Sequence, residues 1–330
     1  MSSFWTSLKK PFFVLAPMAD VTDPAYRHLI ATLGRPSVTW TEFVSAEGLY
    51  HTREKKGMKD AENPLMRDLQ YSEIERPIVA QIFSNKPEMI AYASELAATL
   101  GFDGVDINMG CPDRSIERQG SGAAMIKTPE LAKEIILAAK DGAAKAKPGG
   151  IPVSVKTRIG YNEEILDTWL PVLLSADPAA ITIHLRTRKE MSLVPARWDL
   201  MSRAVSIRNS LASPTLLIGN GDVKDLEDAR VKAEESEADG IMLGRAIFGN
   251  PWVFTGRKVE DTSIAERLAA LVALAHAFEE LRPKKSFHIL KKHIKAFVIG
   301  FDGAAELRSK LMETESAEDL GRIISESKLL

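Results

Sequence analysis

The sequence predicts an α/β fold, a (β/α)8 TIM barrel with a small C-terminal all-helical domain. Three observations lead there. Eight short apolar runs, each of strand length and rich in β-branched residues, punctuate the chain up to residue 244. Helical patterns fill most of the gaps between them. From about residue 258 the pattern is purely helical. The 330 residues suit a barrel of about 250 residues with an appendage. The expected division is 1–260 for the barrel and 261–330 for the helical part. An open doubly wound sheet would show the same alternation, because periodicity does not report closure.

The runs are FFVLAPM at 12–18, SVTWTEFVS at 37–45, PIVAQIF at 77–83 and GVDINM at 104–109. The second four are PVSVKTR at 152–158, AITIHL at 180–185, TLLIG at 215–219 and GIMLG at 240–244. Between them, 87–101 reads as a helix with Pro87 in its first turn and Gly101 at its end, and 129–142 reads as another. The polar stretch 51–76 is expected to be a long loop or irregular helix over the barrel mouth.

Apolar residues make up 45% of the chain, enough for a large core, and the net charge of −2 gives no global attraction to nucleic acid. Any RNA-binding surface must be a local basic patch. Residues 282–310 hold one: Arg282, Lys284, Lys285, Lys291, Lys292, Lys295, Arg308 and Lys310 against Asp302 and Glu306. Lys284, Lys291 and Lys295 recur at nearly helical spacing and are expected to share a face, with Lys292 beside it. The single cysteine, Cys111, excludes an intramolecular disulfide and a cysteine-rich zinc cluster. No signal-peptide core and no apolar run of about 18 residues stands out, so a cytoplasmic protein is expected, with no membrane, metal or protein partner.

In such a barrel, catalytic residues sit on the loops after the strands. Polar residues cluster there: Asp20, Gln81, Asn108, Cys111, Lys156, Arg158, His184, Asn220, Asp222 and Arg245. Alone, each has a plain structural reading: GNGD is a turn, Lys156 a salt-bridged lysine, Cys111 a small buried hydrophobe. Together, at one end of eight strands, they read as a site. The glycines of GNGD (219–222) and Gly244-Arg245 suit a phosphate, which needs close backbone approach and a cation.

At these residues the chain resembles the dihydrouridine synthase family. APMADVTDPAYR (16–27), NMGCPDRSIERQGSGAAM (108–125), SVKTRIG (154–160), ITIHLRTR (181–188), IGNGDV (218–223) and IMLGRAIFGNPWVF (241–254) are similar to its motifs, in order. KKHIKAFVIGFDGAAELRSKL (291–311) resembles the family's RNA-binding tail. One departure is Leu185, where the family commonly has glycine after His184.

The resemblance implies an enzyme that reduces uridine in tRNA to dihydrouridine, with FMN as cofactor and NADPH as co-substrate. It implies flavin contacts from Pro17, Met18, Ala19, Gln81, Lys156, His184, Asn220, Gly221, Asp222, Gly244 and Arg245. Asn108, Arg158 and Arg186 are expected on the uridine side, and Lys291, Lys292 and Lys295 on the RNA backbone. Lys156 is expected to stabilise negative charge on reduced flavin. Cys111 is expected to be the acid that protonates C5, since a thiol of pKa about 8.5 is mostly protonated at neutral pH. Three alternatives stand beside this reading: an FMN barrel reducing a free pyrimidine or other small enone, an aldolase with Lys156 as Schiff-base former, and an RNA-binding protein without chemistry.

Overall fold

The computed structural model describes residues 3–146, 148–327 and 329. Nine parallel strands occur among them: β1 (Phe12–Leu15), β2 (Thr39–Trp40), β3 (Val44–Ser45), β4 (Ile78–Phe83), β5 (Gly104–Asn108), β6 (Val153–Arg158), β7 (Ala180–His184), β8 (Leu216–Asn220) and β9 (Gly240–Leu243). Their order is β1-β9-β8-β7-β6-β5-β4-β2, with β3 also on β4. The ring closes where Ser37 N donates to Phe13 O (2.8 Å) and Leu15 N to Val38 O (3.2 Å). The barrel, not the open sheet, is the fold.

Seven of the eight expected runs form one strand each, and the second divides. Thr39 and Trp40 pair with Ile78 and Val79, whereas Val44 and Ser45 pair with Ile82 and Phe83. Residues 41–43 therefore face only Ala80 and Gln81, a bulge of one extra residue. The Thr41 hydroxyl takes the place of a ladder carbonyl, accepting from Gln81 N at 3.0 Å and donating to Glu42 O at 2.9 Å.

Strand side chains alternate between two faces. Ile78, Ala80, Ile82, Val105, Ile107, Val153, Val155, Ile181 and Ile183 face outward into the core beneath the helices. Phe12, Val14, Trp40, Val79, Ala180, Leu216, Ile218 and Met242 fill the lumen, with Trp5 against them. Further toward the carboxyl ends of the strands, the same parity carries Gln81, Asp106, Asn108, Lys156, His184 and Asn220. One alternation thus builds an apolar plug below and a polar mouth above.

The expected helices lie at Pro87–Thr99 and Pro129–Ala146; Gly101, at φ +83°, ends the first with a conformation that favours glycine. Residues 51–76 do not form one cover over the mouth. They make short helical turns, with Arg53 donating to the Tyr92 hydroxyl at 3.0 Å and Arg76 paired with Asp103. The tail contains helices Ile264–Glu279, Lys291–Phe297, Ala304–Leu311 and Ala317–Glu326. Its buried Leu268, Leu271, Leu274, Phe278, Ile294 and Phe297 belong to the same apolar cluster as the barrel's outer core. Tyr26 of helix Pro24–Gly34 bridges the two, its ring 4.3 Å from His293 and its hydroxyl donating to Ile247 O at 2.5 Å. Among the described residues no helix is long and apolar enough to cross a membrane.

Arg27 Nε donates to Glu75 at 2.8 Å, with side chains 0% and 1% exposed. Arg27 also donates to Thr22 O (2.9 Å) and Gln70 O (2.5 Å). Glu75→Ala strands a buried guanidinium and is expected to cost about 3–5 kcal/mol in urea unfolding, whereas Arg27→Met with Glu75→Leu should cost much less. A single-variant loss below about 1 kcal/mol would show that water reaches the pair.

Candidate functional site

A cavity of about 200 Å³ opens at the carboxyl ends of the strands. Pro17 and Met18 after β1, Lys156 and Arg158 on β6, His184 on β7, Asn220 to Asp222 after β8, and Gly244 and Arg245 after β9 line it. Residues drawn from five strand ends thus meet in one place. Ala19 is exposed and is absent from the lining.

Cations dominate this cavity. Asp222 accepts from Ala196 N (2.9 Å) and Arg245 Nη2 (2.6 Å), and Arg186 Nη2 also pairs with it. Lys156 Nζ lies 3.4 Å from Asn220 Oδ1. Burial, with Arg158 beside it, pushes Lys156 down to about 8; Asp106 and Cys111 oppose the shift. Burial and the cations Arg158, Lys156, Arg186 and Arg245 hold His184 well below its ordinary value. His184 is therefore neutral, and Arg186 Nη1 at 3.4 Å makes its Nε2 the acceptor. The hydrogen then sits on Nδ1, which is buried and has no partner among the described residues. Three cations, Lys156, Arg158 and Arg245, against the one carboxylate of Asp222 in the lining, beside an orphaned donor, suit an anionic ligand with hydrogen-bonding acceptors. Gly221 has φ +128°, and an added Cβ would lie 2.8 Å from Ala196 Cβ, so this turn requires glycine.

Next to the cavity, a buried network sets the loop after β5. Gln81, fully buried, accepts from Asn108 Nδ2 (3.1 Å) and donates to Asp106 Oδ2 (2.7 Å). Ser154 Oγ donates to Asp106 Oδ1 at 2.6 Å. Asn108 Oδ1 accepts from Gly110 N (3.1 Å) and Cys111 N (2.9 Å). Arg158 Nε donates to Gly110 O at 2.8 Å and its Nη1 to Thr187 O (3.1 Å) and Met191 O (3.2 Å). Gly122, at φ +62°, lets the chain fold back; a Cβ there would meet Cys111 O at 2.7 Å. Burial pushes the Cys111 thiol up; the Asp113 backbone N–H, Lys156 and Arg158 partly offset this, and the Asp113 charge adds to it. The thiol is protonated at neutral pH and half-buried beside two cations.

The sequence-predicted residues therefore divide. Pro17, Met18, Lys156, Arg158, His184, Asn220, Gly221, Asp222, Gly244 and Arg245 converge on the cavity. Gln81 and Asn108 lie in the network, with both polar ends of each engaged by protein. Arg186 is 2% exposed, spent on Asp222 and Val194 O (2.5 Å). Asp106 was missed, although its position two residues before Asn108 puts it on the same face of β5. Trp198, whose Nε1 donates to Gly221 O at 2.9 Å, was missed for want of any local signal.

Lys291, Lys292 and Lys295 stand 46 residues or more beyond Arg245, the last residue of the cavity, on the tail helix Lys291–Phe297, where Lys295 is exposed and Lys291 and Lys292 partly so. Lys284 does not share their face. It lies before a 3-10 turn, Phe287–Leu290, whose tighter winding breaks the register. Lys285 turns inward, its side chain 6% exposed.

The family description "Dihydrouridine synthase (Dus)" matches residues 14–329. The chain is 40% identical over 329 residues to "Probable tRNA-dihydrouridine synthase" of Staphylococcus aureus (strain COL), covering 98% of this chain and 95% of that protein. It is 40% identical over 331 residues to "Probable tRNA-dihydrouridine synthase 2" of Bacillus subtilis (strain 168), covering 98% and 96%. Among solved structures, histamine dehydrogenase from Rhizobium sp. 4-9 superposes with a TM-score of 0.52 at 12% identity, over 80% of this chain and 48% of that one, a likeness of fold.

Lys156 should acetylate with a midpoint near pH 8, read by mass spectrometry across a pH series. Asp106→Asn should move that midpoint down, because the Asp106 carboxylate favours the charged amine. A midpoint in the ordinary lysine range, or an upward move, would contradict the burial described above.

Proposed function

The chain belongs to the dihydrouridine synthase family, and on that premise we propose that it reduces the C5–C6 double bond of specific uridines in tRNA to 5,6-dihydrouridine, with FMN in the barrel mouth and NADPH as reductant. The observation that carries this reading is the convergence of five strand ends on one cationic cavity, with a protonated thiol on the adjoining loop. Residues 1–260 form the catalytic unit and 261–330 the RNA-binding unit.

Arg245, His184 and the Asn220–Asp222 turn would hold the phosphate side of the flavin, with Pro17, Met18 and Gly244 along the cavity wall. Asp222 would orient Arg245. Gln81 and Asn108 would act on this site through the network that sets the Cys111 loop, and Arg186 through Asp222 and the Val194 carbonyl it holds. Lys156 would face negative charge on the reduced ring. Reduced flavin would supply a hydride to C6 of uracil and be restored by NADPH. The chain's own contribution to the second bond is Cys111, whose S–H gives its proton to C5; the thiolate is then reprotonated from solvent, with Lys156 and Arg158 nearby to stabilise it.

Cys111→Ala is expected to bind FMN and to let NADPH bleach it at the normal rate, while uridine reduction slows by about 10²–10⁴, as for loss of a general acid. Full turnover on tRNA would remove the thiol from the reaction. A separate prediction concerns the tail. Changing Lys291, Lys292 and Lys295 to Glu should raise the KM for tRNA strongly and lessen its salt dependence, leaving NADPH oxidation by the bound flavin near normal. Unaltered modification at limiting RNA would instead favour the free-pyrimidine reading.

A further inference from the structure

The segment 282–286 links helix Ile264–Glu279 to the turn Phe287–Leu290 and is fastened to the barrel. Gln70 Nε2 donates to Arg282 O at 2.9 Å, and Arg67 Nη1 reaches Pro283 O and Lys284 O at 3.3 and 3.4 Å. Lys285 goes deepest. Its Nζ lies 3.2 Å from Asp20 Oδ1 and 3.2 Å from Glu42 Oε2, with its side chain 6% and that of Glu42 7% exposed. The other Glu42 oxygen accepts the Asp20 N–H. Asp23, 1% exposed, and Asp68 also bear on this amine. Arg27 is already spent on Glu75, and Arg67 pairs with Asp68 at 3.0 Å.

The geometry is specific. Asp20 ends the Pro17–Asp20 loop that walls the cavity, and it stands at φ +56°, an unusual conformation for a non-glycine residue. Glu42 is presented by the one-residue bulge between β2 and β3. Removing the amine would leave the Asp20 and Glu42 carboxylates facing each other with no cation between them, Glu42 still accepting the Asp20 N–H. Burial already pushes Glu42 up to about 7 despite Lys285.

We propose that Lys285 is a positioning residue: it holds the Pro17–Asp20 loop in its cavity-forming shape, and so ties the order of that loop to the seating of the helical tail. The consequence for function rests on the flavin reading above. The basic face of Lys291 and Lys295 begins six residues after Lys285, so the Lys285 ammonium group would link the RNA-binding tail to the Asp20 end of the flavin wall.

The full chain is compared as wild type, Lys285→Met, Lys285→Arg and Lys285→Met with Glu42→Gln. Three quantities are measured: hydrogen exchange of the 16–23 peptide without flavin, FMN affinity by fluorescence quenching, and KM and kcat on tRNA at saturating FMN. Lys285→Met should speed exchange at 16–23 and weaken FMN binding by at least about tenfold, the mark of a stranded buried charge. Adding Glu42→Gln should restore both to within about threefold, since the amide oxygen still accepts the Asp20 N–H while the charge is gone. Lys285→Arg should stay close to wild type, and kcat at saturating FMN should be nearly unchanged. If Lys285→Met does not fold, Lys285→Gln replaces it with the same rescue required. The proposal is overturned if exchange and FMN affinity are unchanged while the KM for tRNA rises, which would make Lys285 an RNA contact. A double variant as loose as the single one also overturns it. Absence of FMN binding in the wild type would sink the flavin reading, yet the exchange measurement would still decide the role of Lys285.

Discussion

In a closed parallel barrel, a side chain of one parity has nowhere to go but the lumen, and the lumen is too dry to leave a polar group unpaired. The network beneath the mouth of this protein answers to that constraint, with His184 Nδ1 as the exception. Asp106 is fully buried, so it is satisfied by Ser154 and Gln81. Gln81 in turn receives Asn108, and Asn108 spends its oxygen on the backbone of Gly110 and Cys111. Satisfying the interior of the barrel and shaping the loop that carries the thiol are one set of hydrogen bonds. The loop is thereby held from beneath by β4, β5 and β6 together, with Arg158 closing over its carbonyl.

The protonation states follow from the same enclosure. Lys156, Arg158, Arg186 and Arg245 lie close together, so each disfavours further positive charge nearby. Burial first and these cations second keep His184 neutral, and burial with Arg158 holds Lys156 near 8. Asp222 is the counterweight. It aims two arginines while its own carboxyl is held below the usual range; burial acts against this, and the Arg186 bond with the Ala196 N–H outweighs it. A mouth arranged in this way is electropositive before any ligand arrives, and its donors need little reorganisation to receive an anion.

How much of this could be read from the chain depends on the range of the interaction responsible. Apolar runs and their flanking glycines are local, and seven of the eight expected runs appear as single strands. The polar residues at the strand ends were visible because period-two alternation and the barrel rule operate within a few residues. The bulge at 41–43 was not, since it depends on Thr41 meeting Gln81 across the ladder. Lys284 was misplaced because a 3-10 turn interrupts the helical spacing. Lys285 was counted among surface charges, and its true partner, Glu42, lies 243 positions earlier. Gln81 and Asn108 were rightly singled out as unusual polar residues in strands, but the sequence did not reveal that protein groups engage both ends of each. Distant pairing decides which conspicuous residues remain free, and no local pattern reports it.

The apolar cluster that runs unbroken from the barrel into the tail has a further meaning. With Tyr26 wedged between His293 and Ile247, the barrel and the tail share one packed core. Side-chain packing then sets where the basic helix stands relative to the strand ends. On the reading proposed above, an RNA held by the tail would be offered to the barrel mouth at a set distance, and selection would become a matter of gauge.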